Sequence, residues 1–275
     1  MGNASGAEGS APPMLDTSIA HQARIYDYWL GGKDNFAVDR EAGDRALELH
    51  PHIIHGVRAN RAFLVRAVTY LAGEVGVRQF LDVGTGLPSA NNTHEVAQGI
   101  APDSRIVYVD NDPVVLLHAR TLLTSKPGGA CAYLDADARV PETILTGAAR
   151  VLDLSRPVAL MMLGVLQLIP DDQQPYRIVA TLMDALPTGS YLTICHPAGD
   201  MNPGVKQAAA LLDSLSAEKR KMRSREEVLR FFDGLEMVEP GLVPVAKWRP
   251  ESPMAAAAPA SRWAGVGRKA ALLPH

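Results

Sequence analysis

The segment Phe80–Ser89, FLDVGTGLPS, confines this chain to few folds. Phe80, Leu81 and Val83 form a short apolar run, as expected of a parallel strand covered by helices on both faces. Gly84 and Gly86 come directly after it. Lacking a Cβ, they let the backbone turn sharply and a ligand come close. A helix starting directly after such a turn would aim free N–H groups and a positive dipole end at that ligand. Asp82 adds a carboxylate at the same edge. Ordinary strand-to-helix turns also use a lone G-x-G, so the downstream residues decide between the two readings.

Downstream of the turn, apolar and polar segments alternate regularly. Strands are expected at 79–83, Arg105–Val109, Ala130–Leu134, Pro157–Leu163 and Ser190–Cys195, the last running out at His196-Pro197. Between them helices are expected near Ala90–Gly99, from Pro113 to about Leu123, from Pro141, and from Asp171-Asp172 to about Leu186. Asp112 fits an N-cap and Pro113 the first helical position. This rhythm argues for right-handed βαβ units and a parallel sheet. Further on, Pro203–Ser216 reads as a helix. Ser224 and Glu227 have capping-box spacing ahead of another, which Gly234 would stop. Late strands are expected at Leu235–Val245 and Trp263–Gly267, separated by the loose Pro/Ala stretch Pro250–Ala260.

Upstream of the alternation the sequence is helical. A helix over Leu15–Leu30 leads into Tyr26–Phe36, YDYWLGGKDNF, where Gly31-Gly32 breaks it among aromatic and polar side chains. Such a loop suits a lid or pocket wall, and equally an ordinary helix–loop–helix corner. Helices are expected at Asp39–Glu48 and Val57–Glu74, the second with Phe63, Leu64, Ala67, Val68 and Leu71 on one face.

Composition excludes several function classes. The 275 residues are 47% hydrophobic and 21% charged, with a formal net charge of −3. That charge gives no case for a nucleic-acid footprint. The mixed-sign run Lys219–Arg225 reads as a solvated face. No stretch has the length of a transmembrane helix, and the N-terminus lacks the basic and apolar regions of a signal peptide. Cys131 and Cys195 form no metal or redox spacing, so a reduced cytoplasmic protein without a metal site is expected.

Three acids fall at the carboxyl ends of adjacent expected strands: Asp82 in the first turn, Asp110 ending the second strand, Asp137 after the third. Open α/β sheets bind ligands at this edge. Asp110 lies 24 residues after Gly86, close to the spacing at which a carboxylate accepts both hydroxyls of a ribose. Asp137 could accept from an adenine amine. Each acid alone could be a cap or turn residue. Together at strand ends they read as a nucleoside site.

FLDVGTGLPS, Val107–Pro113 (VYVDNDP) and Asp135–Ala138 (DADA) resemble the successive cofactor motifs of class I S-adenosylmethionine-dependent methyltransferases. With YDYWLGGKDNF, Asn60–Leu64 (NRAFL), His94–Gln98 (HEVAQ) and the late Pro240–Pro250, the chain is similar to a bacterial methyltransferase family long catalogued as a domain of unknown function. The resemblance runs from about Leu15 to Lys269. It implies an α/β, Rossmann-like seven-stranded sheet, mostly parallel, with an antiparallel C-terminal hairpin and an N-terminal helical cap. Residues 1–13 are then expected to be a disordered tail and 14–275 a single domain, with the cap over 14–76 and the core over 77–275.

The resemblance also implies S-adenosylmethionine as cofactor. Gly84 and Gly86 would lie against its methionine part, Asp110 at the ribose, and Asp137 with Ala136 at the adenine. Leu163 and Gly164 fall where such enzymes contact cofactor or substrate, and Asp82, Thr85 and Asn111 complete the expected cofactor-binding set. One departure from the broad methyltransferase pattern is Leu87-Pro88 where a third glycine is usual. Tyr26, Tyr28, Lys33, Asn35, Asn60 and Arg61 are candidates for a lid or acceptor pocket. Methyl transfer needs mainly alignment, so a base is required only for a protonated acceptor. Tyr28, His55 and His196 are the candidate catalytic groups. The expected activity is in-line methyl transfer to a small molecule. A non-catalytic S-adenosylmethionine-binding protein and an NAD-dependent oxidoreductase are the alternatives, the latter disfavoured by Ser89 where a Gly or Ala is expected.

Overall fold

Alternation of side chains along each strand divides this protein into two apolar layers. Leu81, Val83, Val107, Val109, Leu160 and Met162 face one side of the sheet, and Phe80, Ile106, Tyr108, Ala159 and Met161 the other. The computed structural model describes residues 17–122 and 127–271, without the side chains of 119–122. The expected N-terminal tail lies outside the described residues.

Five parallel strands form the core: β1 (Gln79–Val83), β2 (Arg105–Asp110), β3 (Ala130–Asp135), β4 (Ala159–Leu163) and β5 (Tyr191–Pro197). Three late segments complete the sheet: β6 (Glu236–Met237), β7 (Val243–Pro244) and β8 (Arg262–Arg268). The order is β3-β2-β1-β4-β5-β8-β6, with β8 antiparallel to β5 and both β6 and β7 antiparallel on β8. The single strand expected at Leu235–Val245 is therefore split. Pro240 has no N–H to give, and Gly241 takes a left-handed φ of 83°, so the chain leaves the sheet and rejoins it.

The helices in chain order are α1 (Gln22–Leu30), α2 (Ala37–Leu49), α3 (Ile53–Thr69), α4 (Thr93–Ile100), α5 (Pro113–Leu122), α6 (Pro141–Ala148), α7 (Pro175–Asp184), α8 (Pro203–Leu215), α9 (Arg225–Leu229) and α10 (Pro253–Ala256). Ile144 of α6 and Ile178 and Leu182 of α7 cover the first face. Phe63, Leu64, Ala67, Val68 and Leu71 cover the second, with Trp248 edge-on to Phe63 at 5.2 Å between ring centroids. The helical period read in the sequence thus packs α3 on the sheet itself. Ile25 and Trp29 of α1, Ala42 and Ala46 of α2, and Ala208 and Leu212 of α8 form a separate cluster.

α1 begins at Gln22 rather than Leu15. Residues 17–21 before it are non-helical, with Ala20 bridged to Ser216, and Ile19 O accepts from Arg24 Nη2. Asp112 caps α5 as the sequence suggests, accepting from the Val114 amide at 2.8 Å, and Ser224 and Glu227 form their capping box. No helix among the described residues is long and apolar enough to cross a membrane.

Candidate active site

At the carboxyl end of β1 the chain turns through Gly84 (φ 72°) and Gly86 (φ 69°), both left-handed. The amides of Gly84 and Thr85 donate to Val109 O at 2.8 and 3.3 Å, tying the turn to β2. Thr85 Oγ1 donates back to Asp82 O at 3.0 Å. The two glycines serve different purposes. A Cβ on Gly84 would stand 2.3 Å from Val165 Cβ, whereas a Cβ on Gly86 would meet nothing within 4 Å. Gly84 makes room for Val165, just past β4, to pack; Gly86 leaves one side of the backbone open.

The helix does not start at this turn. α4 begins at Thr93, after a loop in which Asn91 takes φ 60°. Arg61 of α3 holds that loop, donating from Nη2 to Ala90 O at 3.0 Å and Asn91 O at 2.9 Å. The dipole expected at the glycine turn is therefore directed elsewhere: α4 is closed by the Asn92–Glu95 capping box. Asp82 is buried beside it and accepts from Thr93 Oγ1 at 2.6 Å. Burial pushes its carboxyl up to about 6 against the opposing Thr93 hydrogen bond. Asp82 fastens β1 to the start of α4.

Asp110 sits where β2 ends. Its Oδ2 accepts from the Gly86 amide at 2.8 Å and its Oδ1 from the Asp112 amide at 3.0 Å. Burial raises its pKa, with the two amides opposing. Each oxygen keeps a lone pair for another donor. Ala136 is buried next to it, its amide donating to Asp110 O at 3.2 Å. Asp137 is gripped by Arg139, whose Nη2 lies 2.7 Å and Nε 2.8 Å from the carboxylate, while Asn111 Nδ2 donates at 3.3 Å. Burial would raise the Asp137 pKa, but Arg139 and Asn111 outweigh it and hold it low.

The end of β4 forms the third wall. Gly164 takes φ 93°, and a Cβ there would lie 3.2 Å from Arg262 Nη2, 3.8 Å from Asn60 Nδ2 and 3.9 Å from Gln167 Nε2. Asn60 Nδ2 donates to Tyr26 Oη at 2.8 Å and more weakly to Leu163 O at 3.4 Å. Behind these residues is a cleft of about 650 Å³, part of it open to solvent, lined by Tyr26, Trp29, Val57, Gln167, Leu212 and Arg262 among others. Gly86 and Asp110 are not in its wall. The two regions meet at one corner, where Val165 presses on Gly84 and Gly164 faces Arg262.

The model of the S-adenosyl methyltransferase family matches residues 8–270 of this chain. The protein belongs to that family. Its cofactor is S-adenosylmethionine. A crystal structure of a DUF574-family protein from Streptomyces avermitilis is similar, with 43% identity and a TM-score of 0.89 over 92% of this chain and 99% of that one. A candidate methyltransferase from Thermobifida fusca is also similar, with 43% identity and a TM-score of 0.86 over 94% and 98%. No curated protein sequence matches the chain.

In the methyltransferase the remaining residues singled out from the sequence are dispersed. Tyr28 points to α2, its hydroxyl donating to Asp44 Oδ1 at 2.7 Å. Lys33 is exposed. Asn35 donates to Asp27 Oδ2 at 2.8 Å and closes the YDYWLGGKDNF loop on itself. Asp27 also accepts the Asp34 amide at 2.9 Å, and a Cβ on Gly32 would fall 1.9 Å from Asp27 Oδ1. His55 is exposed, edge-on to His52. His196 is fully buried; its Nδ1 donates to Pro197 O at 2.8 Å and its Nε2 accepts from Arg223 Nη1 at 3.2 Å. Burial pushes its pKa down to about 3, so both nitrogens are committed and the ring is neutral.

Sequence reasoning missed three cleft residues, His50, Gln167 and Arg262, and the tie made by His21. His21 joins Asp112 Oδ2 at 2.6 Å and Glu218 Oε1 at 2.9 Å, pinning the start of α1 to the α5 cap and to the loop after α8. With both imidazole nitrogens facing carboxylates the ring is protonated, so the 3.3 Å approach of the Ala23 amide to Nδ1 is a contact and no cap. No local pattern marks any of the four. Each is a lone residue whose setting depends on strand and helix placement.

Proposed function

We propose that the methyltransferase transfers a methyl group by in-line displacement to a small-molecule acceptor seated in the cleft behind Tyr26, Gln167 and Arg262. The observation that carries this reading is the Gly164-Val165 corner, which touches the glycine turn on one side and the cleft on the other. S-adenosylmethionine supplies a sulfonium-bound methyl group as the electrophile.

The residues around the turn fit that cofactor. Gly86 offers backbone with open space where a Cβ would be, and Asp110 keeps an acceptor lone pair on each oxygen for a ribose diol. Buried Ala136 offers an apolar surface for a base. Asp137 already accepts from the amide and side chain of Arg139 and from Asn111, so an adenine amine would reach it only by displacing one of those donors. Leu163 and Gly164 carry the reacting end toward the cleft. Asp82 and Thr85 act from beneath by fixing the turn.

On the cleft side two buried amide oxygens, Asn60 Oδ1 and Gln167 Oε1, have no hydrogen-bond partner within the protein. An unpaired buried acceptor costs about 1–3 kcal/mol, so both suit an N–H or O–H of the acceptor. Together they would orient its nucleophilic atom at the end of β4. Alignment of this kind supplies much of the rate enhancement for a displacement. Tyr26 is held as a neutral phenol by burial, which raises its pKa, and cannot serve as base at neutral pH. His50 is the histidine in the cleft wall among the described residues, and burial lowers its pKa. It is neutral at pH 7 and free to collect the acceptor's proton.

The test is a labelled-methyl screen of the full chain against cell extract, resolved by size. Label in the small-molecule fraction, lost with Asp110→Asn, is the expected result. Label confined to protein or nucleic acid would overturn the small-molecule reading.

A further inference from the structure

Arg262 opens β8 and pairs in register with Pro197 at the end of β5, which brings its side chain to the carboxyl edge of the parallel strands. It is 8% exposed and lines the cleft. The described arginine ion pairs involve Arg24, Arg78, Arg139, Arg220, Arg223, Arg249 and Arg268 but not Arg262. Its Nε has no hydrogen-bond partner. Arg220, the other arginine in the cleft wall, is already matched by Asp213 Oδ1 at 3.0 Å and Gln22 Oε1 at 2.9 Å.

The groups facing Arg262 do not neutralise it. Tyr26 and the Cys195 thiol, which shares a hydrogen bond with the guanidinium, both have pKa values raised by burial and stay uncharged. His196 is neutral. The arginine stem runs along α3 at Gly56, where a Cβ would be in ordinary contact with Cδ at 3.8 Å and Cγ at 3.9 Å. The head group ends beside Gly164, where the transferred methyl would arrive. Leaving a buried charge unpaired is strongly unfavourable, so a guanidinium held this way favours an anionic ligand.

We infer that Arg262 is the specificity anchor of the acceptor site, and that the acceptor is a carboxylic acid with an apolar body. The planar guanidinium matches a carboxylate bidentately. Tyr26, Trp29, Val57 and Leu212 supply the apolar wall that such a body would cover. This rests on the small-molecule methyl-transfer reading and deepens it by naming the substrate class.

The experiment uses benzoate and its neutral counterpart benzamide, titrated into the full chain saturated with S-adenosylhomocysteine, with binding followed by calorimetry at constant ionic strength. Benzoate should bind at least tenfold more tightly than benzamide. Arg262→Met should erase that difference while leaving S-adenosylhomocysteine affinity unchanged, and Arg262→Lys should keep part of it. Should Arg262→Met not fold, the wild-type preference and its reduction in Arg262→Lys decide the matter. Equal binding of the two probes to wild type would overturn the inference. So would a loss of S-adenosylhomocysteine affinity in Arg262→Met, since the arginine would then hold the cofactor's own carboxylate. Benzoate discrimination with no transfer to any small molecule in the labelled screen would sink the functional reading instead, and the two failures are thus separable.

Discussion

The amide of Gly86 donates to Asp110 Oδ2 at 2.8 Å, so the glycine turn after β1 and the acid ending β2 form one unit before any ligand arrives. Asp110 is preorganised: its orientation is set by the Gly86 and Asp112 amides, and each oxygen keeps a lone pair. Replacing it with Asn sets an amide NH2 against one of those donors. Hydrogen bonds to charged groups contribute about 1.5–3 kcal/mol, so S-adenosylhomocysteine should bind Asp110→Asn at least tenfold more weakly in calorimetry.

Gly84 and Gly86 separate stability from binding. An alanine at either position takes a left-handed backbone, costing roughly 1–2 kcal/mol. Gly84→Ala additionally drives a Cβ into Val165, adding about 1–3 kcal/mol of overpacking. Gly84→Ala should lower Tm by roughly 8 °C, at 2–4 °C per kcal/mol for a domain of this size. Gly86→Ala should melt much closer to wild type but lose cofactor affinity. Thermal melts and calorimetry on the pair check both halves.

The His21 tie predicts a pH dependence of stability. Despite burial, which acts downward, hydrogen bonds to Asp112 and Glu218 push His21 up to about 10. Burial would raise Glu218, but His21 holds it down at about 2. A raised histidine contributes fully below its unfolded pKa, near 6.5, and loses that contribution as pH climbs to about 10. A depressed glutamate contributes fully above about 4.5 and loses it as pH falls toward 2. His21 keeps 36% of its side chain exposed, so solvent softens both slopes. In His21→Gln the fall in Tm between pH 7 and 9.5 should flatten, which a melting series at fixed ionic strength measures. An unchanged alkaline slope would mean that the tie adds no stability.

How far the sequence reached can be judged from particular residues. The apolar run at Phe80–Val83, the glycines after it and the Asp112-Pro113 cap are local signals, and the strands and α5 start where they point. β6 and β7 were legible only as one strand, because a two-residue pairing carries too little periodicity to show a break. Tyr26 and Tyr28 look equivalent in YDYWLGGKDNF. Two residues apart on a helix, they face different ways, Tyr26 to Asn60 and Tyr28 to Asp44. Arg262 and His21 owe their roles to partners distant in sequence, which a single chain read in order does not reveal.

That divergence is itself testable. Tyr28→Phe removes an exposed hydrogen bond and should change stability by no more than about 0.5 kcal/mol, with cofactor affinity and turnover intact. Tyr26→Phe deprives Asn60 Nδ2 of its better acceptor and should lower turnover, leaving S-adenosylhomocysteine affinity within about twofold. Steady-state kinetics with any acceptor found in the screen distinguishes the two.

Loss of the neutral imidazole in the cleft gives another outcome. For an acceptor that sheds a proton, His50→Gln should reduce kcat by about a hundredfold, the lower end of what a positioned base contributes, and should remove the acid limb of the kcat–pH profile. A profile unchanged in His50→Gln would assign the reaction to alignment alone.

A crystal structure of the full chain with S-adenosylhomocysteine would show whether the glycine turn and Asp110 hold the cofactor. The ribose hydroxyls should lie on Asp110, the backbone of Gly86 against the ligand, and the sulfur should be directed past Gly164 toward the cleft of Tyr26 and Arg262. Ligand density inside that cleft, or a ribose making no contact with Asp110, would contradict that placement.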